Sequence, residues 1–269
     1  MSDLFDALSP FAGSPIASPG GLIPDGMYPS GYGMKLLRET RVIAHGSTME
    51  YFEAILEDHP TVYAWAAKHP DRRDLSGRRA VYAVPLPGNE DVTVVVRHNE
   101  HGGLLRGLTR DVFRTPRAAR ELRISWTLRH VGIATPRVIG YAQYPLAGGQ
   151  LWRADVVTRE VPVSKDLAAM LSVTDTTVDH RPTLDAAITL LRRLARTWAF
   201  HPDLNVKNIL ISTELDGSIT ANVLDVDTLR FAEKNAEWMN VARLLRSAQK
   251  WRRRTGHAGF SALIDRLGG

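Results

Sequence analysis

Apolar residues keep two different rhythms along this chain, and the changes of rhythm mark its elements. From Ser47 the period is helical: Ser47-Thr48-Met49-Glu50 has the form of a helix start, and Phe52, Ile55 and Leu56 share a face until His59-Pro60 ends it. Residues 61–68 read as a second short helix. Between residues 75 and 99 the period falls to two. Ala80-Val81-Tyr82-Ala83-Val84-Pro85 and Asp91-Val92-Thr93-Val94-Val95-Val96-Arg97 are predicted strands of a hairpin around Pro87-Gly88-Asn89. Thr115-Pro116 then opens a helix with proline at its first position; Leu122, Trp126 and Arg129 keep helical spacing, and Gly132 stops it. Residues 137–144 and 151–159 read as two further strands separated by Ala147-Gly148-Gly149, completing a small antiparallel sheet. Glu160-Val161-Pro162-Val163 is a connector, Ser164 is expected to cap a short helix over 165–171, and 172–182 reads as a polar loop.

Thr183 begins the strongest helical pattern, with Leu184, Ala187, Ile188, Leu191, Leu194, Ala195 and Trp198 on one stripe. That stripe is core, and it delivers the chain to His201. Residues 209–212 and 219–224 form a second predicted hairpin around Asp216-Gly217, and 233–267 is mainly helical. Residues 1–34, in contrast, carry Pro and Gly clusters, few charges and no sustained period, and read as a mobile arm. The predicted order is a sheet with one helix, then helices bearing a hairpin. This is an α+β, two-lobed arrangement, with an N-terminal lobe over 35–162 and a C-terminal lobe over 163–269.

Composition adds little to this picture and charge adds some. The 269 residues suffice for a large core, and 44% hydrophobic with 23% charged residues is ordinary for a globular chain. A net charge of +5 and a pI near 9.6 favour an anionic partner such as nucleotide, phosphorylated lipid or nucleic acid. Zero cysteines exclude disulfides and thiolate metal sites. No stretch has the roughly 18 consecutive apolar residues of a membrane span, so the chain is expected to be cytoplasmic, with any membrane contact peripheral.

The candidate chemistry gathers in His201-Pro202-Asp203-Leu204-Asn205-Val206-Lys207-Asn208-Ile209-Leu210 and in Asn222-Val223-Leu224-Asp225-Val226-Asp227. Asp203 can accept a proton from an attacking hydroxyl and orient it in line with a leaving group. Magnesium takes hard oxygen ligands, few of them from protein, and Asn208 and Asp225 supply two. His201 joins this set either as a proton-transfer group or, more commonly for such a residue, as packed support for the loop. Asn205 suits bracing the loop, and Lys207 faces either the donor phosphate or solvent. Arg97, at the end of a strand, can pair with Glu121 on the next helix, which would fix its guanidinium toward nucleotide phosphates. Gly77 permits a tight turn in Ser76-Gly77-Arg78-Arg79, where Arg79 could meet phosphate; the alternative is a solvated turn. The plainer reading of the Asp and Asn residues is that they cap a helix and a hairpin.

Several segments together resemble the bacterial lipopolysaccharide kinases with a protein-kinase-like fold. They are VVVRHNEHGGLL at 94–105, RAARELRISWTLRHVGIATPR at 117–137, LWRADVVTREV at 151–161, HPDLNVKNIL at 201–210, VLDVD at 223–227 and NVARLLRSAQK at 240–250. The Arg-His-x-x-x-Gly-Gly segment and the Arg-Leu-x-Arg-Ser-x-x-Lys ending point within that family to kinases of 3-deoxy-D-manno-octulosonic acid (Kdo). The resemblance implies ATP, magnesium and transfer of the γ-phosphate to the 4-hydroxyl of Kdo on lipid A. It also implies Asp203 as base, Asn208 and Asp225 as magnesium ligands, and Arg97 in place of the usual nucleotide-binding lysine with Glu121 as its partner. Asn99 and Glu100 stand where an aromatic and more basic residues are expected, and Pro202 where a small residue is usual.

Three other readings remain beside this one: a kinase of the same fold acting on heptose or another small molecule, a pseudokinase that binds nucleotide without turnover, and a basic RNA-binding scaffold. The last is the weakest, because interleaved aromatic and basic motifs of the recognised modules are missing. The basic residues Arg243, Arg246, Lys250, Arg252, Arg253 and Arg254 read as a solvated helix face that could also meet an anionic inner-membrane surface.

Overall fold

The computed structural model describes residues 27–75, 80–99, 117–173 and 178–268, which fall into two compact units. One comprises residues 23–126 and 136–161 and is built on a seven-stranded sheet. Its strands are β1 (Tyr32–Leu37), β2 (Thr40–His45), β3 (Arg73–Leu75), β4 (Val81–Leu86), β5 (Asn89–His98), β6 (Val138–Leu146) and β7 (Leu151–Arg159). Their order is β1-β2-β6-β7-β5-β4-β3, antiparallel at every neighbour.

Successive residues of a strand point to opposite faces, so neighbours in β2 enter different cores. Val42 and Ala44, with Val94, Val96 and Val157, pack against Phe52 and Ile55 of α1 (Met49–Asp58) and Val62, Trp65 and Ala66 of α2 (Val62–Lys68). Ile43, with Tyr141, Ala154 and Val156, packs against Ala118 and Leu122 of α3 (Ala118–His130) on the other face. At Gly140 a Cβ would lie 2.6 Å from the Phe52 ring, so only glycine lets α1 sit this close to β6.

The other unit comprises residues 127–135 and 162–269, described to residue 268. Its three-stranded sheet has the order β10-β9-β8, from β8 (Ser164–Asp166), β9 (Ile209–Thr213) and β10 (Ile219–Val223). Around it stand α4 (Leu167–Leu171), α5 (Arg181–Arg196), α6 (Ala236–Thr255) and α7 (Ala258–Gly268). Leu184, Ala187, Leu191 and Leu194 of α5 are buried, as the stripe predicts. A Cβ on Gly259 would lie 2.7 Å from the Leu171 carbonyl oxygen, which brings α7 tight against the end of α4.

Two expectations of local structure change. Ser164 caps no helix: Ser164, Lys165 and Asp166 pair with Ser212, Ile211 and Leu210 of β9, and Asp166 caps α4 by accepting from the Ala169 N–H at 2.8 Å. Tertiary pairing overrides the local helical pattern there. The hairpin β1–β2 was not visible as strands, and Tyr32 to Met34 at its start lie in the stretch read as an arm. Val42, Ile43 and Ala44 are all fully buried because both faces of the sheet are covered, which erases the alternation that marks a strand.

Candidate functional site

Two residues past the end of α5, Trp198 takes left-handed backbone angles (φ 51°), and the Ala199 N–H donates to the Leu194 carbonyl at 2.8 Å. Phe200 and Arg230 then exchange two backbone hydrogen bonds, each 2.8 Å. Asn240 of α6, fully buried, accepts from the His201 N–H at 3.0 Å and donates to the Ala199 carbonyl at 2.8 Å. The loop is therefore clamped at its entry from two sides.

His201 is also fully buried, and its tautomer follows from its partners. The Asp203 N–H can only donate, so Nδ1, 3.1 Å away, accepts; the Leu224 carbonyl can only accept, so Nε2, 2.8 Å away, carries the proton. Both ring nitrogens are committed to backbone. This geometry makes His201 a support that ties the Asp203 loop to the residue before Asp225.

The carbonyl of Asp203 accepts from Asn205 Nδ2 and from Asn208 Nδ2, both at 2.9 Å. Asn205 Oδ1 in turn accepts from the Lys207 N–H at 2.9 Å, which braces the turn. The Asn208 carbonyl accepts from the Leu224 N–H at 2.9 Å, so Asn208 is bonded on one side to Asp203 and on the other to the chain entering Asp225. Asp203 and Asp225 are exposed, and Asp225 has left-handed backbone angles (φ 52°, ψ 44°). Aspartate tolerates that region better than most residues, at a cost of roughly 1–2 kcal/mol, and such strain gathers at functional turns.

Lys207 goes elsewhere: its Nζ donates to Asp166 Oδ2 at 3.0 Å and lies 5.4 Å from the centroid of the Trp251 ring. It is not joined to the Asp203–Asn208–Asp225 group.

In the sheet unit Arg97 Nη2 and Glu121 Oε1 form an ion pair, with Glu121 buried and Arg97 partly exposed. The expected strand-to-helix pairing is thus present. Gly77 and Arg79 lie outside the described residues, as does Glu100. On the opposite face from Arg97, His98 Nδ1 meets Asp155 Oδ1 at 2.6 Å. Fully buried Asp155 also accepts from the Tyr63 N–H (2.8 Å) and the Tyr144 hydroxyl (2.9 Å) through Oδ2. Burial, then the charge of Asp155, holds the Tyr144 hydroxyl well above its usual pKa. Sequence reasoning missed this network, because nothing in the spacing joins residues 57 positions apart. It also missed Asn240 and Ser247 of α6, the latter accepting from the Val206 N–H at 3.2 Å. Asn240 had left a signal: it is the polar member of the buried row Ala236, Asn240, Leu244, Ala248.

Nδ2 of Asn208 bonds to Asp203, which makes Oδ1 the atom of that amide with the capacity to accept or ligate, and the Asp225 carboxylate is exposed beside the same frame. Among the described residues no three His, Asp or Glu side chains cluster as a metal cage. Two hard oxygens completed by substrate phosphate are what these residues can offer, and magnesium fits that donor set.

An exposed carboxylate, a carboxamide and a second carboxylate held on one backbone frame define a site suited to metal-assisted phosphoryl transfer. Residues 64–264 match the Lipopolysaccharide kinase (Kdo/WaaP) family, and the chain belongs to it. It is accordingly a phosphotransferase with an alcohol group as acceptor, an ATP-using kinase of lipopolysaccharide sugars. Curated relatives include a 3-deoxy-D-manno-octulosonic acid kinase of Vibrio vulnificus, 29% identical over 195 residues, which span 70% of this chain and 77% of the relative. Another, of the same name, from Haemophilus influenzae, is 29% identical over 182 residues (65% and 73%). A solved structure described as WaaP in complex with acyl carrier protein aligns at a TM-score of 0.48 with 17% identity, covering 80% of this chain and 82% of that one. No helix among the described residues is long and apolar enough to cross a membrane.

Proposed function

We propose that this chain transfers the γ-phosphate of ATP to the 4-hydroxyl of Kdo on lipid A. The sheet unit serves as the nucleotide-holding lobe of a protein-kinase-like fold and the helical unit as its catalytic lobe. Asp203 accepts the proton of the attacking hydroxyl and aligns it. Asn208 and Asp225 hold magnesium, which when bound offsets the charge of the transferring phosphoryl group. Asn205 and His201 position the loop without touching the reacting atoms. Arg97 grips phosphate with a planar fork that the Glu121 carboxylate orients, a different grip from the point charge of a lysine.

The observation that carries this reading is the shared frame: one carbonyl, that of Asp203, receives two carboxamides, while Asn208 and His201 each bond to Leu224, next to Asp225. Chemistry that must keep base and metal ligands in register needs such a frame. Kdo as the sugar is supported by the Kdo kinases among the relatives. The test is incubation with labelled ATP, with and without magnesium, and a panel of Kdo-lipid A, heptosylated core and protein acceptors. Magnesium-dependent label on Kdo-lipid A is expected. Label on heptosylated core alone would move the acceptor, and nucleotide binding without label on any acceptor would make the chain a pseudokinase.

A further inference from the structure

Lys207 stands inside the Asp203–Asn208 loop, yet the proposed chemistry leaves it unused. The loop curls until Asn208 Nδ2 lies 2.9 Å from the Asp203 carbonyl, so Lys207, the residue before Asn208, leaves the backbone close to Asp203. Its half-exposed side chain is fixed at the far end by two partners. Asp166 Oδ2 accepts from Nζ at 3.0 Å, while Oδ1 of the same carboxylate accepts from the Ala169 N–H at 2.8 Å. The centroid of the Trp251 ring lies 5.4 Å from Nζ, and that ring stacks at 5.8 Å on fully buried Phe260. Each partner is thus anchored, Asp166 by the first turn of α4 and Trp251 by the core.

A lysine ammonium has three donors, and Asp166 takes one. Exposed Arg254 lies over the same indole, 5.9 Å from its centroid, and among the described residues no carboxylate pairs with it. Two cations therefore face one carboxylate, and the cluster keeps a positive charge. Holding the loop does not account for it: His201, Asn240 and Ser247 already do so, and a half-exposed ion pair adds little. What Asp166 and Trp251 achieve is a cation at a fixed place, preorganised for an external anion. An acceptor with a carboxylate of its own is repelled by exposed Asp203 and Asp225, as a neutral sugar is not. A preset cation on the same loop offsets that repulsion and selects the acid over the neutral sugar.

We propose that Lys207, assisted by Arg254, recognises the acceptor by taking the carboxylate of an acidic sugar whose hydroxyl lies at Asp203. This role rests on the proposed reaction and adds its selectivity: Kdo is an octulosonic acid, its carboxylate borne by the ring carbon two bonds from the one with the 4-hydroxyl. A carboxylate remote from the transferring phosphoryl group is held alike before and during transfer, so its loss falls on KM rather than kcat.

Steady-state kinetics with magnesium and ATP test this on two water-soluble acceptors, deacylated Kdo-lipid A and the same saccharide with the Kdo carboxylate as its methyl ester. The native chain should favour the acid. Lys207→Met should raise KM for the acid on the order of tenfold to a hundredfold, the range of a charge-assisted hydrogen bond, with KM for ATP and the thermal midpoint near native. KM for the ester should move far less, since the ester has no charge to lose. Lys207→Arg should restore most of the preference, and Arg254→Gln should raise KM for the acid by only a few-fold. Equal loss on acid and ester, a raised KM for ATP, or an unchanged KM for the acid in Lys207→Met would each overturn the proposal. If neither saccharide is phosphorylated, the proposed reaction falls, and calorimetric titration with acid and ester decides the subsite alone. Tighter native binding of the acid that Lys207→Met abolishes upholds it, and equal binding of the two overturns it.

Discussion

The two units hold their functional charges in opposite ways. In the helical unit the carboxylates proposed as base and metal ligand, Asp203 and Asp225, are exposed, and what is buried is their support, His201 and Asn240. In the sheet unit the charges themselves are buried: Glu121 against Arg97, and Asp155 among His98, Tyr63 and Tyr144. The first arrangement leaves carboxylates free for a proton and a metal while main-chain bonds set their positions. The second uses neutralised charge to fix a strand against a helix, with the Arg97 guanidinium partly exposed at their junction. A substitution should accordingly remove activity with little loss of stability in the first case and couple the two losses in the second.

The largest expected effect is at the exposed carboxylates. Asp203→Asn and Asp225→Asn should each lower kcat by about 10²–10⁴-fold, with an unchanged thermal midpoint, measured by labelled phosphate transfer and calorimetry. Activity within a few-fold of native in either variant would end the proposed mechanism. Next comes their support. His201→Ala strands the Asp203 N–H and the Leu224 carbonyl and opens a cavity, so it should destabilise by about 2–4 kcal/mol in denaturant titration. Loss of activity at native stability would instead make His201 a proton carrier.

Arg97→Met removes an ion-pair partner of the buried Glu121 carboxylate and should cost about 1–3 kcal/mol, discounted for the partial exposure of the pair. The double variant Arg97→Met/Glu121→Met should recover stability but not nucleotide affinity, which calorimetric titration with ATP reads directly. Full nucleotide affinity in Arg97→Met would separate this pair from the reaction.

The smallest effect is at the turn of the β9–β10 hairpin. Bonds from Ser218, side chain and backbone, hold the Asp216 carboxyl below its ordinary pKa. A depressed folded pKa stabilises above the unfolded value and loses that contribution as pH falls through the folded value. Asp216→Ala should therefore melt slightly below the native chain at neutral pH, and the difference should vanish in acid.

Much of the helical unit was legible because its elements obey local rules. The α5 stripe, the Asp216-Gly217 turn and the spacing of Asp203, Asn208 and Asp225 need only near neighbours to be recognised. The sheet unit was legible where one face alternates, as in β5, or where a β-branched run is bounded by turn residues, as in β7, and opaque in the short, wholly covered run Val42-Ile43-Ala44 of β2. The pairing of Arg97 with Glu121 could be expected from a strand followed by a helix. That of His98 with Asp155 could not, because their strands are neighbours only through the sheet order.

By itself the sequence determined which groups could do chemistry: two carboxylates and a carboxamide at spacings that suit phosphoryl transfer, and an arginine able to pair with a glutamate on the next helix. The tertiary structure decided how each is used. It turned His201 inward to tie Asp203 to Leu224, and drew Lys207 to Asp166 and Trp251. The physical reason is that a side chain's identity fixes its pKa range and donors locally, whereas its partners and exposure depend on which distant backbone packs beside it.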